Sequence, residues 1–156
     1  MQKITTYLWF DNQAEEAATF YTSLFKDSRV LDVHRYGDAG PGPAGTAMIV
    51  TFELAGQRFI ALNGGPQFTF TEAVSLYVDC DSQEEVDELW ARLTEGGEES
   101  QCGWLKDKYG LSWQIIPRRL QELLSDSDPA RAQRAMKAML GMQKIDVPAL
   151  EAAANG

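Results

Sequence analysis

The sequence predicts an α+β protein in which two β-α-β-β-β modules form a curved mixed sheet and further helices follow at the C-terminus. Two alternating, strand-like runs predict this fold class. One run ends at Asp11 and the other at Asp79, and a helical pattern follows each of them. Apolar side chains recur at i, i+3, i+4 and i+7 in both helical patterns: Ala17, Phe20, Tyr21 and Leu24 in the first, Val86, Leu89, Trp90 and Leu93 in the second. This repetition indicates a duplicated module within one domain over residues 1–156.

The first module is expected over residues 3–65. Its first strand should place Ile4, Leu8 and Phe10 on the face that the following helix covers. Asn12, with Glu15 three residues on, is the expected cap of that helix. Turn residues and alternation place the remaining elements: a strand over 29–36, a Gly- and Pro-rich loop over 37–45, and a hairpin of strands over 46–54 and 57–63 that turns at Ala55-Gly56.

The second module is expected over residues 70–117, and its helix should be capped by Asp81 with Glu84. Its elements follow the order of the first module: a strand over 73–78, a helix over 82–93, and strands over 102–106 and 111–116. A C-terminal helical extension over residues 118–156 completes the chain, with Pro129 in the first turn of its longest helix.

The strand faces turned away from the predicted helices carry aromatic and polar side chains. They are Thr5, Tyr7, Trp9, Asn63, Ser75, Tyr77, Ser112 and Gln114. A sheet that is aliphatic on one face and aromatic-polar on the other is expected to cover a ligand or another chain, since ligand pockets are mostly apolar with a few placed polar groups.

The net charge of −9 argues against a nucleic-acid partner and against an anionic membrane surface, because both need a basic face. No apolar run approaches the ~20 residues of a membrane helix, so no membrane association is expected. The two cysteines, Cys80 and Cys102, form no metal-binding motif, and we expect both to be reduced in the cytoplasm.

Short phrases along nearly the whole chain resemble the vicinal oxygen chelate superfamily, and within it the PhnB-like branch, often labelled demethylubiquinone methyltransferase-like. The phrases are 8–11 (LWFD), 14–17 (AEEA), 20–21 (FY), 24–25 (LF), 56–57 (GQ), 61–65 (ALNGG), 78–80 (VDC), 102–106 (CGWLK) and 109–114 (YGLSWQ). The resemblance implies a glyoxalase-like fold and a homodimer.

The resemblance also implies where the metal ligands of the superfamily, typically His and Glu, would stand in this chain. Those positions are Thr5, Ile60 or Ala61, Ala73 and Gln114. None of these residues is His, Glu or Asp, so we expect no metal and no other cofactor. The methyltransferase label also fits poorly, since the first strand–helix turn, over residues 10–13, has none of the glycines that a Rossmann-type methyl-donor site uses.

The first functional hypothesis is therefore a metal-free protein that binds a small molecule. Its ligand-binding candidates are Tyr7, Trp9, Asn63, Tyr77, Trp104, Lys106 and Gln114. Structural roles remain open for several of them: Trp9 and Tyr77 can pack at a dimer interface, Asn63 can belong to a simple turn, and Gln114 can bond its neighbours.

Two enzyme hypotheses stand beside it. An enzyme of the superfamily with non-standard residues would use Cys102 or His34 as its catalytic group. Both are weak candidates, because a buried small thiol and a structural strand histidine are the commoner roles. A metal-dependent lyase or dioxygenase would need ligands at other positions.

Overall fold

The computed structural model describes residues 2–156, which divide into two compact units, 2–69 and 70–156. In the first unit, strands alternate with one helix in the predicted order: β1 (Thr6–Phe10), α1 (Ala14–Thr22), β2 (Arg29–Arg35), β3 (Ala47–Leu54) and β4 (Gln57–Asn63). They form one four-stranded sheet in the order β1-β4-β3-β2, in which β1 is parallel to β4 and the other pairs are antiparallel.

The second unit repeats this order: β5 (Ser75–Cys80), α2 (Gln83–Thr94), β6 (Glu98–Glu99), β7 (Trp104–Lys106) and β8 (Ser112–Pro117). Its sheet runs β5-β8-β7-β6, again with the first and last strands parallel. Three helices follow: α3 (Arg118–Leu124), α4 (Pro129–Leu140) and α5 (Val147–Asn155). The predicted fold class, two β-α-β-β-β modules with C-terminal helices, is confirmed.

Each helix covers one face of its sheet. In the first unit, the Tyr21 ring of α1 lies 6.3 Å from that of Phe52, so α1 covers the face to which Leu8 and Phe10 also belong. In the second unit, Trp90 of α2 donates to Glu99, which is in register with Leu105 and so marks the covered face. The aliphatic faces predicted from alternation are buried, as expected from the hydrophobic effect.

Ile4 departs from the prediction, because β1 starts at Thr6 and Ile4 lies before the paired residues. Its side chain is 85% exposed, whereas Leu8 and Phe10 are 3% exposed. The Gln2 side chain holds this segment instead, donating to the carbonyl oxygens of Ile4 and Arg58.

The cap predicted for α1 is wrong. The N-cap residue is Gln13, which makes no side-chain capping bond, and the first free N–H of the helix is satisfied from a distant strand. The Oδ1 of Asn63, at the end of β4, accepts from the backbone N–H of Ala14 at 2.8 Å. Tertiary contact thus replaces the local Asn12 cap.

The cap of α2 is local but lies one residue beyond the predicted pair. Ser82 accepts from the N–H of Glu85 at 3.2 Å, and the Glu85 carboxylate accepts from the N–H of Asp81 at 2.7 Å. The cap is therefore formed by Ser82 and Glu85 and not by Asp81 and Glu84. It resembles a capping box, but Glu85 reaches the N–H of Asp81, one residue before the N-cap Ser82.

The hairpins that end the two units are closed differently. Between β3 and β4, Ala55 and Gly56 both have positive φ, 49° and 82°, as predicted for a two-residue turn. Between β7 and β8, the buried Asp107 closes the turn: one carboxylate oxygen accepts from the backbone N–H groups of Tyr109 and Leu111, and the other accepts from the indole N–H of Trp113.

The C-terminal helices pack around a cluster of their own within the second unit. It contains Ile116, Leu120, Leu123, Ala135, Ile145, Leu150 and Ala154. Cys102 and Gly103, both with positive φ, donate backbone hydrogen bonds to the carbonyls of Met142 and Gln143 and so hold the segment after α4. Within residues 2–156, none of the helices combines the length and the apolar character that crossing a bilayer requires.

Candidate functional site

The uncovered face of the first sheet carries a row of side chains that crosses all four strands. Trp9 is in register with Leu62, Leu62 with Ile49, and Ile49 with His34. Tyr7 lies on the same face of β1 and is exposed. The structure thus places Tyr7, Trp9 and His34, three residues singled out from the sequence, on one aromatic and polar surface.

Trp9 is held firmly on that surface. Its indole N–H donates to the carbonyl of Gly65 at 2.9 Å, and its ring meets the edge of Phe68 at 4.9 Å between centroids. Gly64 lies under the ring, because a Cβ added there would stand 2.4 Å from a ring carbon. These contacts hold the Trp9 ring in one position on the uncovered face.

Asn63 has both ends of its side-chain amide engaged within the first unit. Besides capping α1, it donates from Nδ2 to the carbonyl of Ala47 at 3.0 Å. Its own carbonyl accepts from the Tyr36 hydroxyl at 3.4 Å. These bonds join the start of α1 to the ends of β3 and β4. Asn63 is in register with Phe10, so it lies on the helix-covered face, and the prediction that it belongs to the uncovered face is wrong. Its role in ligand binding stays a prediction.

A cleft of about 980 Å³ opens in the first unit next to Asn63, between the β1–α1 turn and the Gly- and Pro-rich loop. An ion pair between Arg35 and Glu15, 2.8 Å apart, lies at its edge. Sequence reasoning identified the loop but not the cleft, because the cleft depends on how the loop folds over Tyr36, whose ring fills the space beside Gly40 and Gly42.

On the uncovered face of the second sheet we define a six-residue patch of side chains in two rows, the first of which continues to Glu98 beyond Lys106. One row is Ser75, Ser112 and Lys106, and the other is Tyr77, Gln114 and Trp104. Both rows follow from strand register, since residues paired across neighbouring strands point to the same face. The structure thus brings together Tyr77, Trp104, Lys106 and Gln114 as the sequence predicted.

Hydrogen bonds fix two members of the patch. Gln114 donates from Nε2 to the Ser75 hydroxyl at 3.0 Å, and the Tyr77 hydroxyl accepts from Gln121 of α3 at 2.9 Å. The amide of Gln114 is therefore oriented by its neighbour on β5. Tyr77, although exposed, has its polar end anchored to the C-terminal extension.

Lys106 lies at the other side of the patch, with its ammonium 3.2 Å from the carboxylate of Glu72. A backbone hydrogen bond at Glu72, followed by the bond and the charge of Lys106, holds the pKa of Glu72 below its ordinary value. Glu72 is largely exposed, so this pair sits at the water-facing side of the patch.

Ser112 is the buried middle member of the same row, between Ser75 and Lys106. It is 1% exposed, and within residues 2–156 its Oγ is the buried side-chain oxygen or nitrogen that lacks a hydrogen-bond partner. It borders a cavity of about 100 Å³ whose lining also includes Glu72, Glu98, Glu99, Ser100, Trp104, Leu105 and Lys106. The sequence analysis noted Ser112 only as a polar strand residue, because burial without a partner cannot be read from alternation.

The two catalytic candidates lie in different units and have unlike surroundings. His34 is exposed on β2. The Cys102 thiol, half-buried before β7, donates to the carbonyl of Met139 at 3.6 Å. The other cysteine, Cys80, is fully buried, and burial together with the charges of Glu85, Asp79 and Asp81 raises the pKa of its thiol to about 12.

The residues at the metal-ligand positions of the superfamily do not fit a divalent metal. The register makes Leu62 the repeat counterpart of Gln114, since Leu62 pairs with Trp9 as Gln114 pairs with Tyr77. Neither Leu62 nor its neighbours Ile60 and Ala61 can ligate through a side chain. Over the described residues 2–156, no three or more His, Cys, Asp or Glu side chains are grouped so as to hold a metal ion.

Comparison with known proteins gives a consistent family result. A family model described as 3-demethylubiquinone-9 3-methyltransferase matches residues 2–116. The chain is also similar to the solved structure of a PhnB protein from Bacillus cereus, with 44% identity over 74% of this chain and 99% of that chain, and a TM-score of 0.70. None of the curated proteins matches this chain.

More distant structures share the fold alone. A protein from Pseudomonas aeruginosa is 21% identical over 75% of this chain and 98% of its own, with a TM-score of 0.62. The fosfomycin resistance protein FosX from Listeria monocytogenes, solved with Mn(II) and sulfate, is 17% identical over 80% of this chain and 97% of its own, with a TM-score of 0.54. The glyoxalase-like architecture is thus common to chains of quite different sequence.

Proposed function

The chain belongs to the 3-demethylubiquinone-9 3-methyltransferase family, a PhnB-like branch of the vicinal oxygen chelate superfamily, and from this premise we propose that it is a metal-free small-molecule-binding protein. The six-residue patch is the observation that carries the proposal. It presents an indole, a phenol, an amide, two hydroxyls and an ammonium on one sheet face, which is the mixture of apolar surface and placed polar groups found in ligand sites.

Four members of the patch have a definite task in this proposal. Trp104 offers its ring for stacking, since an aromatic face gives large contact area for little conformational entropy. Gln114, oriented by Ser75, presents its amide to a carbonyl or amide of the ligand, and Lys106 supplies charge. In the first unit, taken by itself, Tyr7 and Trp9 are proposed to contact a ligand on that unit's own uncovered face.

Catalysis by the family's named reaction is not part of the proposal. The β1–α1 turn offers no glycine for a methyl donor, and the superfamily's metal positions hold residues that do not ligate. The thiol of Cys102 points to a backbone carbonyl, and no base that would activate it is among its hydrogen-bond partners. An enzyme that uses Cys102 or His34 is the alternative hypothesis, and the experiment below distinguishes it from ligand binding.

Native mass spectrometry of gently purified protein tests the proposal. We expect an additional organic mass on the wild-type chain, without a metal, and a reduced fraction of that mass on Trp104→Ala and Gln114→Ala. Cys102→Ser is the matched control, because it keeps a small side chain outside the patch, and it should retain the wild-type fraction. Loss of the bound mass in Cys102→Ser with no change in Trp104→Ala would instead favour the enzyme.

We further propose that the protein acts as a homodimer in the cytoplasm. The support is an apolar stripe on α4, where Met136 and Leu140, four residues apart, are 39% and 60% exposed. Exposed apolar side chains grouped on one helix face favour association. Light scattering should give twice the mass of the chain for wild type and the single mass for Met136→Glu/Leu140→Glu, and a wild-type monomer would contradict the proposal.

A further inference from the structure

We propose that the cavity between Ser112 and Lys106 receives the carboxylate of a small organic acid, and that Glu72, which pairs with Lys106 at the cavity's edge, competes with this acid for the ammonium. The inference rests on the proposed small-molecule function and names the chemical group that the second unit recognises. It is drawn from the row Ser75–Ser112–Lys106 of the six-residue patch and from the ion pair beside it.

The first step is the buried hydroxyl of Ser112. A buried polar group without a partner destabilises a protein, and most such groups in native structures are hydrogen-bonded. Ser112 borders a cavity, so an occupant of that cavity can accept its hydrogen bond. An unmatched donor facing an open space indicates a ligand oxygen.

The second step is the position of Lys106, directly across from Ser112 in the β7–β8 register. Paired strand residues have Cβ atoms about 5 Å apart, so an ammonium and a hydroxyl can address the same small group. The ammonium has three N–H donors, and Glu72 engages it from one side. A carboxylate with two oxygens can take one bond from Ser112 and one from Lys106.

The third step concerns charge, because the cavity lining also includes Glu98 and Glu99. Glu98 is paired with Lys106 across β6 and β7, but it is exposed, so water and salt screen its charge. Glu99 is already engaged, since its carboxylate accepts from the Trp90 indole on the covered face. A cationic ligand at Ser112 would face the ammonium of Lys106 at close range, which is unfavourable. An anionic ligand would be attracted instead, as the carboxylate of Glu72 is in its ion pair with Lys106.

The size of the cavity limits the ligand. Its volume of about 100 Å³ corresponds to roughly three waters at about 30 Å³ each, which is enough for a carboxylate with one small substituent. The remainder of a larger acid would extend over Trp104 and Gln114, the second row of the patch. Short acids such as acetate and pyruvate are therefore suitable probes.

Calorimetric titration with acetate and pyruvate at pH 7 and constant ionic strength tests the inference, with acetamide as a neutral probe of the same shape. We expect binding of the acids and weaker binding of acetamide. Ser112→Ala and Lys106→Met should each weaken acid binding about ten-fold or more, since hydrogen bonds to charged groups are the strong ones. Glu72→Gln should strengthen it several-fold, because the competitor loses its charge.

Two controls separate the inference from simpler explanations. Glu88→Gln removes the same charge from the exposed surface of α2, and it should leave acid binding unchanged. If Glu72→Gln and Glu88→Gln strengthen binding equally, the effect is one of net charge and the competitor role is wrong. Wild-type affinity in Ser112→Ala would show that the hydroxyl does not meet the ligand, and would also overturn the inference.

Thermal unfolding of the free protein gives an independent readout. Ser112→Ala removes an unpaired buried hydroxyl, so the Tm without acid should stay the same or rise. A clear fall in Tm would mean that a group of the protein already accepts the hydrogen bond of Ser112, which contradicts the inference. If the acids fail to bind but native mass spectrometry still finds an organic mass that depends on Trp104 and Gln114, only this inference fails. If no small molecule binds at all, the proposed function fails as well.

Discussion

The two units have the same strand order and the same parallel pairing of first and last strands, but they stabilise their helices and turns by different means. In the first unit, Asn63 reaches from the end of β4 to cap α1. In the second, α2 is capped by Ser82 and Glu85 from its own sequence. One topology is therefore compatible with a tertiary cap and with a local cap.

The closing hairpins also differ, but here the first unit has the locally determined turn and the second unit has the turn that depends on a side chain. The β3–β4 turn needs only the backbone conformation of Ala55 and Gly56. The β7–β8 turn depends on the side chain of Asp107, which reaches two backbone N–H groups and the indole of Trp113. Each unit thus has one locally determined element and one that depends on a polar side chain in contact with distant or buried groups, and the second kind should be more sensitive to substitution.

The largest effect is expected at Asp107. Asp107→Ala leaves the buried N–H groups of Leu111 and Trp113 without acceptors, so it should lower the free energy of unfolding by at least about 3 kcal/mol. Asp107→Asn keeps one acceptor oxygen and should lose less. Urea unfolding followed by tryptophan fluorescence measures both, and a loss below 1 kcal/mol in Asp107→Ala would refute the importance of this carboxylate.

Asn63→Ala should be next, with a loss of about 2 kcal/mol, because it removes the α1 cap and the bond to the carbonyl of Ala47. Asn63→Asp retains an acceptor for the Ala14 N–H but not the donor, and should fall between Asn63→Ala and wild type. The same urea titration applies. Equal stability of Asn63→Ala and wild type would mean that α1 does not need its distant cap.

The two local elements should be less sensitive, at about 1 kcal/mol each. Ser82→Ala removes one capping bond of α2. Gly56→Ala adds a methyl group with no atom within 4 Å, so its cost is purely that of a side chain at φ 82°. Losses as large as that of Asn63→Ala, measured in parallel, would remove the distinction between local and tertiary elements.

The last effect concerns Cys80 in the second unit, and it is absent at neutral pH and about 1 kcal/mol between pH 9 and 10. The pKa of the Cys80 thiol rises from 9.0 to about 12 in the folded state, so its contribution to stability is complete below pH 9. It is lost as the pH rises from 9 towards 12, because the unfolded chain releases this proton first, at up to about 1.4 kcal/mol per pH unit. Cys80→Ala should show a shallower decline between pH 9 and 10 in urea titrations, and identical slopes would contradict the assignment.

Much of this architecture was predictable because it depends on patterns of period 2 and period 3.6. Alternation in residues 6–10 and 75–80 placed Trp9 and Tyr77 correctly on uncovered faces, and the repeat placed the helices. The patch of Tyr77, Trp104, Lys106 and Gln114 followed from the same alternation.

The features that escaped prediction depend on burial and on contacts between distant residues. The Asn63 cap joins residues separated by a whole module, and a local rule therefore chose Asn12 in its place. From the sequence alone, Asp107 cannot be told from a surface aspartate. Only the structure shows that it is buried and accepts a hydrogen bond from Trp113. The unpaired hydroxyl of Ser112 and the cleft beside Tyr36 likewise require coordinates.

The source of the α1 cap has a consequence for the order of events during folding. A cap formed entirely by residues 81–85 lets α2 form before any strand has paired, since loop closure over so short a distance is fast. The cap of α1 is available only after β4 has met β1, and that contact closes a loop from Phe10 to Asn63. We expect pulsed hydrogen exchange during refolding to show that the amides of α2 become protected earlier than those of α1. The two repeated halves of one chain would then fold in succession.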